Sequence, residues 1–167
     1  MIAAELRPWT KTDKADLIRL CNRVDRSFLS DRLPYPYRIP DADLRLRTVE
    51  QRDGKTAVYR AIWTENHAVG CIIIEQREGI FSVDAEIWYL LLPEYAGSGI
   101  MTAAVQEGCA LAFDQLNIRR ITGRCAAAHH ASRRVLEKAG FQLEGTIRQA
   151  YCKNGEMQDL LIYGRLR

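Results

Sequence analysis

The segment Pro93-Glu-Tyr-Ala-Gly-Ser-Gly-Ile100 is the first whose residue types and spacing suggest chemistry. It joins an apolar stretch to a helical one. Two glycines let the backbone turn tightly and expose its N–H groups at a helix N-terminus. Those donors, with the helix dipole, suit a diphosphate. A plain strand-to-helix turn would use the same residues. Rival phosphate motifs fail. The turn itself contains no Gly-Lys-Ser/Thr, which excludes a Walker loop there. A dinucleotide fingerprint extended from Gly97 and Gly99 needs Gly or Ala where Thr102 stands, and the turn lies mid-chain rather than in a first strand–helix unit.

Glu86 is the second candidate. Strand alternation places Asp84, Glu86, Trp88 and Leu90 on one face. A carboxylate inside an apolar strand is costly unless it is used or paired. Glu86 is therefore a candidate general base, or else a partner of a neighbouring strand. Asp84, nearer the strand start, is expected to be solvated. The third segment runs from His129 to Gly145: a short helix with a polar start, a stop at Gly140-Phe141, then a strand. Ser132 and Leu136 are four apart and share a helix face. His129 and His130 diverge from one another and cannot readily share a metal. His67 falls in an expected turn and is expected to be exposed.

Around these residues, hydrophobic period sets the elements. Strands are expected at Ile2–Leu6, Ala57–Thr64, Ala68–Gln76, Phe81–Leu92, Arg120–Cys125, Phe141–Arg148 and Asp159–Arg165. Helices are expected at Asp13–Val24, capped by Thr12 or Asp13, and at Asp41–Glu50, Gly99–Leu116 and Ala131–Ala139. Leu17, Ile18, Leu20, Cys21, Val24, Val105, Ala110, Leu111 and Phe113 are the expected core of the first and third helices. A turn is expected at Glu65-Asn-His67. Pro34, Pro36 and Pro40 make the segment before the second helix an extended crossing loop. The order predicts an α/β (α+β) fold: a mixed, mostly antiparallel sheet with helices on both faces.

The chain has 167 residues, 47% hydrophobic and 27% charged, with net charge +3, in keeping with one soluble domain spanning 1–167. The charge is too small to argue for nucleic acid, and no basic run or finger spacing is present. The 5 cysteines are widely spaced, without Cys-x-x-Cys, so buried reduced thiols are expected rather than disulfides or a metal site. Met-Ile-Ala-Ala-Glu is too short and polar for a signal peptide, and no apolar run reaches the ~20 residues of a membrane span. A cytoplasmic location without membrane contact is the expectation.

Taken together, these segments resemble the GNAT superfamily of N-acyltransferases, and within it the RimJ/RimL-like branch that acetylates ribosomal-protein N-termini. Glu86-Ile-Trp-Tyr-Leu-Leu-Leu-Pro-Glu-Tyr-Ala-Gly-Ser-Gly-Ile100 is similar to that branch's strand and glycine turn. Ala131-Ser-Arg-Arg-Val-Leu-Glu-Lys-Ala-Gly-Phe141 is similar to its second cofactor segment. Leu6-Arg-Pro8, Leu33-Pro-Tyr-Pro-Tyr37, Glu144-Gly145, Asn154-Gly155, Asp159 and Tyr163 extend the match over nearly the whole chain. The resemblance implies acetyl-CoA as cofactor, with the backbone of Leu90 and Leu91 splayed to pair with pantetheine. It places the N–H groups of Tyr95, Ala96, Gly97, Ser98, Gly99 and Ile100 on the pyrophosphate, and Ser132 near the sulfur. His129 stands where the family places Asn, and a cofactor contact is expected of it. Arg133 and Arg134 are a solvated face or contacts of the 3′-phosphate. Glu94, Ala96 and Ser98 depart from the family turn. Leu136 replaces a common tyrosine acid, and Tyr151 stands where some members have a glutamate.

Acetyl transfer needs a neutral amine, a polarised thioester carbonyl and a proton for the thiolate. An α-amine, with pKa near ~8, is already about a tenth free base at neutral pH, whereas a lysine at about 10.4 is not. Such an acceptor needs only a modest base, acting directly or through water. A protein or peptide N-terminus, such as a ribosomal protein's, is the expected partner. Small amines, or a cofactor-binding module without catalysis, are the alternatives, and homodimerisation is left open. Trp63, Trp88, Tyr35 and Tyr37 could be core or acceptor-site walls, with core expected for both tryptophans.

Overall fold

The computed structural model describes residues 4–64 and 66–167. Ile2 and Ala3 of the expected first strand, and Glu65 of the expected turn, lie outside the described residues. Seven strands form one sheet: β1 (Glu5–Pro8), β2 (Ala57–Thr64), β3 (His67–Gln76), β4 (Asp84–Leu91), β5 (Arg120–Ala126), β6 (Gln142–Lys153) and β7 (Glu156–Leu166). The helices are α1 (Lys14–Arg23), α2 (Ile39–Arg52), α3 (Ile100–Gln115) and α4 (His130–Lys138). The sheet order is β1-β2-β3-β4-β5-β7-β6, antiparallel except for the parallel pair β4/β5. The mixed, mostly antiparallel sheet expected from the sequence is what forms.

Local signals set most boundaries. Asp13 ends a short 3₁₀ turn before α1; its carboxylate accepts from the Thr10 backbone N–H and hydroxyl at 2.8 and 2.9 Å and so fixes the start of that turn. Pro40 sits in the first turn of α2, where its missing N–H costs nothing. Two differences stand out. Residues 79–81 form a 3₁₀ turn, so the long strand begins at Asp84 instead of Phe81. The last two strands are far longer than expected because Asn154 (φ 52°) and Gly155 (φ 81°) make a tight hairpin turn between them.

Alternation along β3 fixes the layers. Cys71 faces Cys21 of α1, which adds to the pressure on the Cys21 thiol. Its neighbours Ile72 and Ile74 lie under α3, where a Cβ on Gly108 would meet Ile72 at 3.3 Å. So α1 and α2 cover one face, and α3 and α4 the other. Leu17, Leu20, Cys21, Val24, Val105 and Phe113 are buried as expected; Ala110 is exposed and Ile18 and Leu111 only half-buried. Four thiols are buried, but Cys152 is exposed on the terminal hairpin. Gly123 of β5 lets α4 approach closely: a Cβ there would stand 2.8 Å from a Leu136 methyl. Among the described residues no helix is long and apolar enough to cross a membrane.

Candidate active site

The parallel ladder is short. β4 pairs β5 only from Asp84↔Arg120 to Ile87↔Gly123. Beyond it, β4 continues on β3 to Leu91↔Gly70, and β5 continues on β7 to Ala126↔Leu160. The strands therefore part, and an opening runs between Trp88–Leu91 and Arg124–Ala126. Leu136 marks its floor: its buried side chain lies over Gly123, beside Ile87, where the ladder ends. Leu92 N–H donates to the Val69 carbonyl at 2.8 Å. Period-two alternation then aims the amides of Leu90 at β3 and those of Tyr89 and Leu91 into the opening. This corrects the expected pair Leu90/Leu91: Leu91 faces the opening, while Leu90 belongs to the β3 ladder and Tyr89 takes its place.

The glycine turn closes one end. Pro93–Tyr95 form a single 3₁₀ turn, after which Gly97 (φ 75°) and Gly99 (φ 84°) reverse the chain into α3. Tyr95 and Ala96 use their N–H groups on the carbonyls of Leu92 and Pro93 at 3.0 Å, which removes them from the expected set of pyrophosphate donors. Ser98 N–H reaches Tyr95 O at 3.4 Å, and Ser98 Oγ donates there at 2.6 Å. Gly97 and Gly99 keep free donors. Ile100 N–H has only a 3.4 Å contact to Ser98 Oγ, and the first intrahelical bond is Ala103 N–H to Gly99 O. Free amides at Gly97, Gly99 and the first turn of α3 therefore point out together, with the positive end of a 16-residue helix behind them. Nothing lies within 4 Å of where a Cβ would stand on Gly97 or Gly99. Glu94, unfavourable beside a phosphate, is drawn aside by Arg23 at 2.9 Å. His67, expected to be merely exposed, contacts Tyr95 Oη at 3.3 Å and so ties the turn to β3.

On the α3/α4 face, Ser132 is buried in the first turn of α4. Its Oγ lies 2.7 Å from Tyr89 Oη. Burial pushes the Tyr89 phenol above its ordinary value, against a smaller opposite effect of Ser132. Tyr89 was part of the sequence motif but not recognised as functional. Alternation placed it with Ile87, yet nothing in the sequence says which helix covers that face.

His129 does not offer its ring to the opening. It stacks on Phe28 of the α1–α2 loop, with centroids 4.3 Å apart and planes at 11°, while the backbone N–H of His129 donates to Ala126 O. This corrects the expected cofactor contact: the side chain joins that loop to α4. Burial lowers the His129 pKa, only partly offset by Asp25. The unfolded imidazole binds a proton near about 6.5 and the folded one only at lower pH. Stability is thus fully present above about 6.5 and is lost as pH falls from there through the depressed folded value. Melting temperatures of wild type and His129→Phe, compared across this window, should show the variant lacking that component. Parallel curves would overturn the assignment.

On the opposite face, Glu86 accepts from Arg77 at 3.2 Å and pairs with Arg124 at 3.4 Å. Each oxygen has one arginine neighbour, so lone-pair capacity remains. Asp84, expected to be solvated, is buried. It accepts two contacts from Thr122 Oγ1, at 2.8 and 3.0 Å, with Arg77 and Arg120 each at 3.4 Å. Trp88 is 40% exposed beside the opening rather than core, and Trp63 is half-buried beneath Arg7. Tyr151 and Gln158 pair across β6 and β7 on this face, and Lys153 of the same hairpin donates to Leu29 O of the α1–α2 loop at 2.9 Å. Arg133 bonds the Ala127 carbonyl, and Arg134 is exposed. Among the described residues no group of three or more His, Cys, Asp or Glu could hold a metal ion.

The described family "Acetyltransferase (GNAT) domain" matches residues 4–142. A putative ribosomal N-acetyltransferase, YdaF of Bacillus subtilis, is 37% identical over 83 residues, 50% of this chain and 45% of that protein. A ribosomal-protein-serine acetyltransferase of Escherichia coli is 30% identical over 105 residues, 63% of this chain and 58% of its own length. The chain spans about half the length of the curated relatives it matches. Among solved structures, the RimL acetyltransferase of ribosomal L7/L12 α-amines, in complex with coenzyme A, superposes with TM-score 0.83 at 25% identity, covering 98% of this chain and 93% of that one.

Proposed function

The chain belongs to the GNAT acetyltransferase family, a family that uses acetyl-CoA, and from that premise we propose that it transfers acetyl from acetyl-CoA to the α-amine of a protein or peptide, of ribosomal-protein type. The observation that carries this reading is the opening between β4 and β5, with free amides at its end and the Ser132 hydroxyl in its wall. The residues fit the cofactor. Leu91 and Tyr89 offer edge amides to an extended chain, and Gly97, Gly99 and the start of α3 offer donors to a diphosphate. When bound, acetyl-CoA supplies an activated acyl carbon on a thioester. The described residues act as one N-acetyltransferase domain, working in the cytoplasm.

The remaining work falls to the protein. In the net transfer an N–C bond forms and the C–S bond breaks; the amine loses one proton and the sulfur gains one. Glu86, held by two arginines on the acceptor side of the sheet, takes the amine proton through water. Ser132 donates to the departing sulfur. The α1–α2 loop, pinned by Phe28 to His129 and by Leu29 to Lys153, roofs the acceptor side. Orientation of the two substrates contributes much of the rate.

Incubation with acetyl-CoA and a mixed library of peptides and small amines, read by mass spectrometry, tests the reading. Acetylation of peptide α-amines ahead of lysine side chains is expected. Transfer only to small amines would overturn the acceptor class, and no transfer at all would favour a cofactor-binding module. Ser132→Ala should lower kcat at least about tenfold while leaving acetyl-CoA affinity within about twofold, because the hydroxyl acts on charge that develops only in the transition state. Near wild-type turnover in this variant would remove Ser132 from the mechanism.

A further inference from the structure

Ser132 meets one wall of the opening: Tyr89 Oη of β4 is 2.7 Å from its Oγ, at a point where β4 is no longer paired with β5. A serine hydroxyl has one proton and cannot serve Tyr89 and a departing sulfur together. The direction of the Tyr89–Ser132 bond therefore decides whether that proton is free.

Two facts favour the phenol as the donor. A phenol is a stronger acid than an alkyl hydroxyl, hence the better donor of the pair. The other acceptor within reach of Tyr89 is the Ser132 carbonyl at 3.3 Å, well beyond the favoured O–H···O distance.

We propose that Tyr89 is a positioning residue for acetyl transfer: its phenol donates to Ser132 Oγ and leaves the serine's own proton aimed at the departing sulfur. This rests on the acetyltransferase reading above. Leu136 occupies the place on α4 where related enzymes often carry a tyrosine; in this chain the phenol comes from β4 and acts through Ser132. The serine keeps its proton and stabilises the thiolate by a charge-assisted hydrogen bond, an effect of about tenfold to about 10²-fold in rate. The amine proton, released through Glu86 and solvent, balances the one the sulfur finally takes up. Burial holds Tyr89 protonated, so its donation persists across the working range of pH.

Two measurements test this. In the first, Tyr89→Phe, Ser132→Ala and the double variant are compared in kcat and in KM for acetyl-CoA. Tyr89→Phe is expected to lose about tenfold or more in kcat with KM unchanged, and the double variant to be no slower than Ser132→Ala, because the two hydroxyls act as one unit. An unchanged kcat in Tyr89→Phe, or losses that multiply in the double variant, would overturn it.

The second measurement needs no turnover. Affinities for CoA and desulfo-CoA are measured by calorimetry on the wild type between about pH 7 and about pH 9, spanning thiol ionisation near about 8.5. CoA affinity should rise with pH while desulfo-CoA stays flat, and Tyr89→Phe should flatten the rise. The groups facing this point are Tyr89, Cys125, Cys109 of α3 and Tyr163 of β7, with Arg133 and Glu137 of α4 and Arg165 of β7 behind them. Burial pushes Cys109 and Cys125 up to about 11 and raises both tyrosines, so of the sulfurs at this point only the CoA thiol titrates in this range. No rise in the wild type would overturn the inference even if Tyr89→Phe failed to fold. A rise without turnover on any amine would sink the acetyltransferase reading while leaving the orientation of Ser132 intact.

Discussion

Acetyl-CoA is expected to bind the wild type in the micromolar range, and Gly99→Val to weaken that binding by at least about 10²-fold, with Gly97→Val weakening it by a comparable factor. Both glycines sit at positive φ, 75° and 84°, where an L residue costs about 1–2 kcal/mol and a β-branched one more. The protein leaves open space around each missing Cβ. A side chain there therefore meets no neighbour in the fold and projects instead into the region the diphosphate needs. Turning the backbone to relieve strain would also swing the free amides of Gly97 and Gly99 away from their common direction. Each charge-assisted hydrogen bond lost is worth about 1.5–3 kcal/mol, so one or two account for the expected factor. Calorimetric titration with acetyl-CoA, beside a melting curve, reads the result. Unchanged affinity in both folded variants would show that the diphosphate is held elsewhere.

Glu86→Gln should lower the rate at neutral pH on the order of 10²-fold. Glutamine keeps the shape and can still accept from Arg77 or Arg124, but it does not take a proton. The loss should shrink as pH rises toward about 8, where a free α-amine no longer needs a base. The pH–rate profile, measured with the same peptide for both proteins, distinguishes this from a purely structural role. A variant with reduced melting temperature and an unaltered profile would make Glu86 an ion-pair partner and nothing more. The geometry gives both outcomes a physical basis, since the carboxylate is held by two guanidinium groups and still has lone pairs to offer a water.

The order of elements was legible from the sequence because it rests on local signals. The spacing of Leu17, Leu20 and Cys21 requires a helix, and each of these is buried. The two glycines after Pro93 require a turn into α3, and they adopt the positive φ that only glycine takes readily. Gly140 ends α4 in the same way. Glu86 drew notice because a carboxylate in an apolar strand needs a partner, and it has two. The length of the terminal hairpin is not legible in the same way: Asn154-Gly155 is a strong turn signal, but the mostly exposed β6 lacks the alternation that marks a strand's extent.

What the sequence determined by itself, then, was everything carried by one stretch of backbone: strand, helix, glycine turn and the polar start of α4. What the tertiary structure alone decided was which side chains meet. Period-two alternation divides a strand into two faces, but it does not say which helix covers which face. Only the docking of α4 over Gly123 brings Ser132 to Tyr89, 43 residues away in sequence, and only the packing of the α1–α2 loop lays Phe28 on His129. Asp84 is buried where Thr122 and Arg120 of β5 and Arg77 of the loop after β3 meet it. The opening between β4 and β5 is likewise a property of pairing: both strands run on past Ile87 and Gly123, and their partners on either side, β3 and β7, draw them apart.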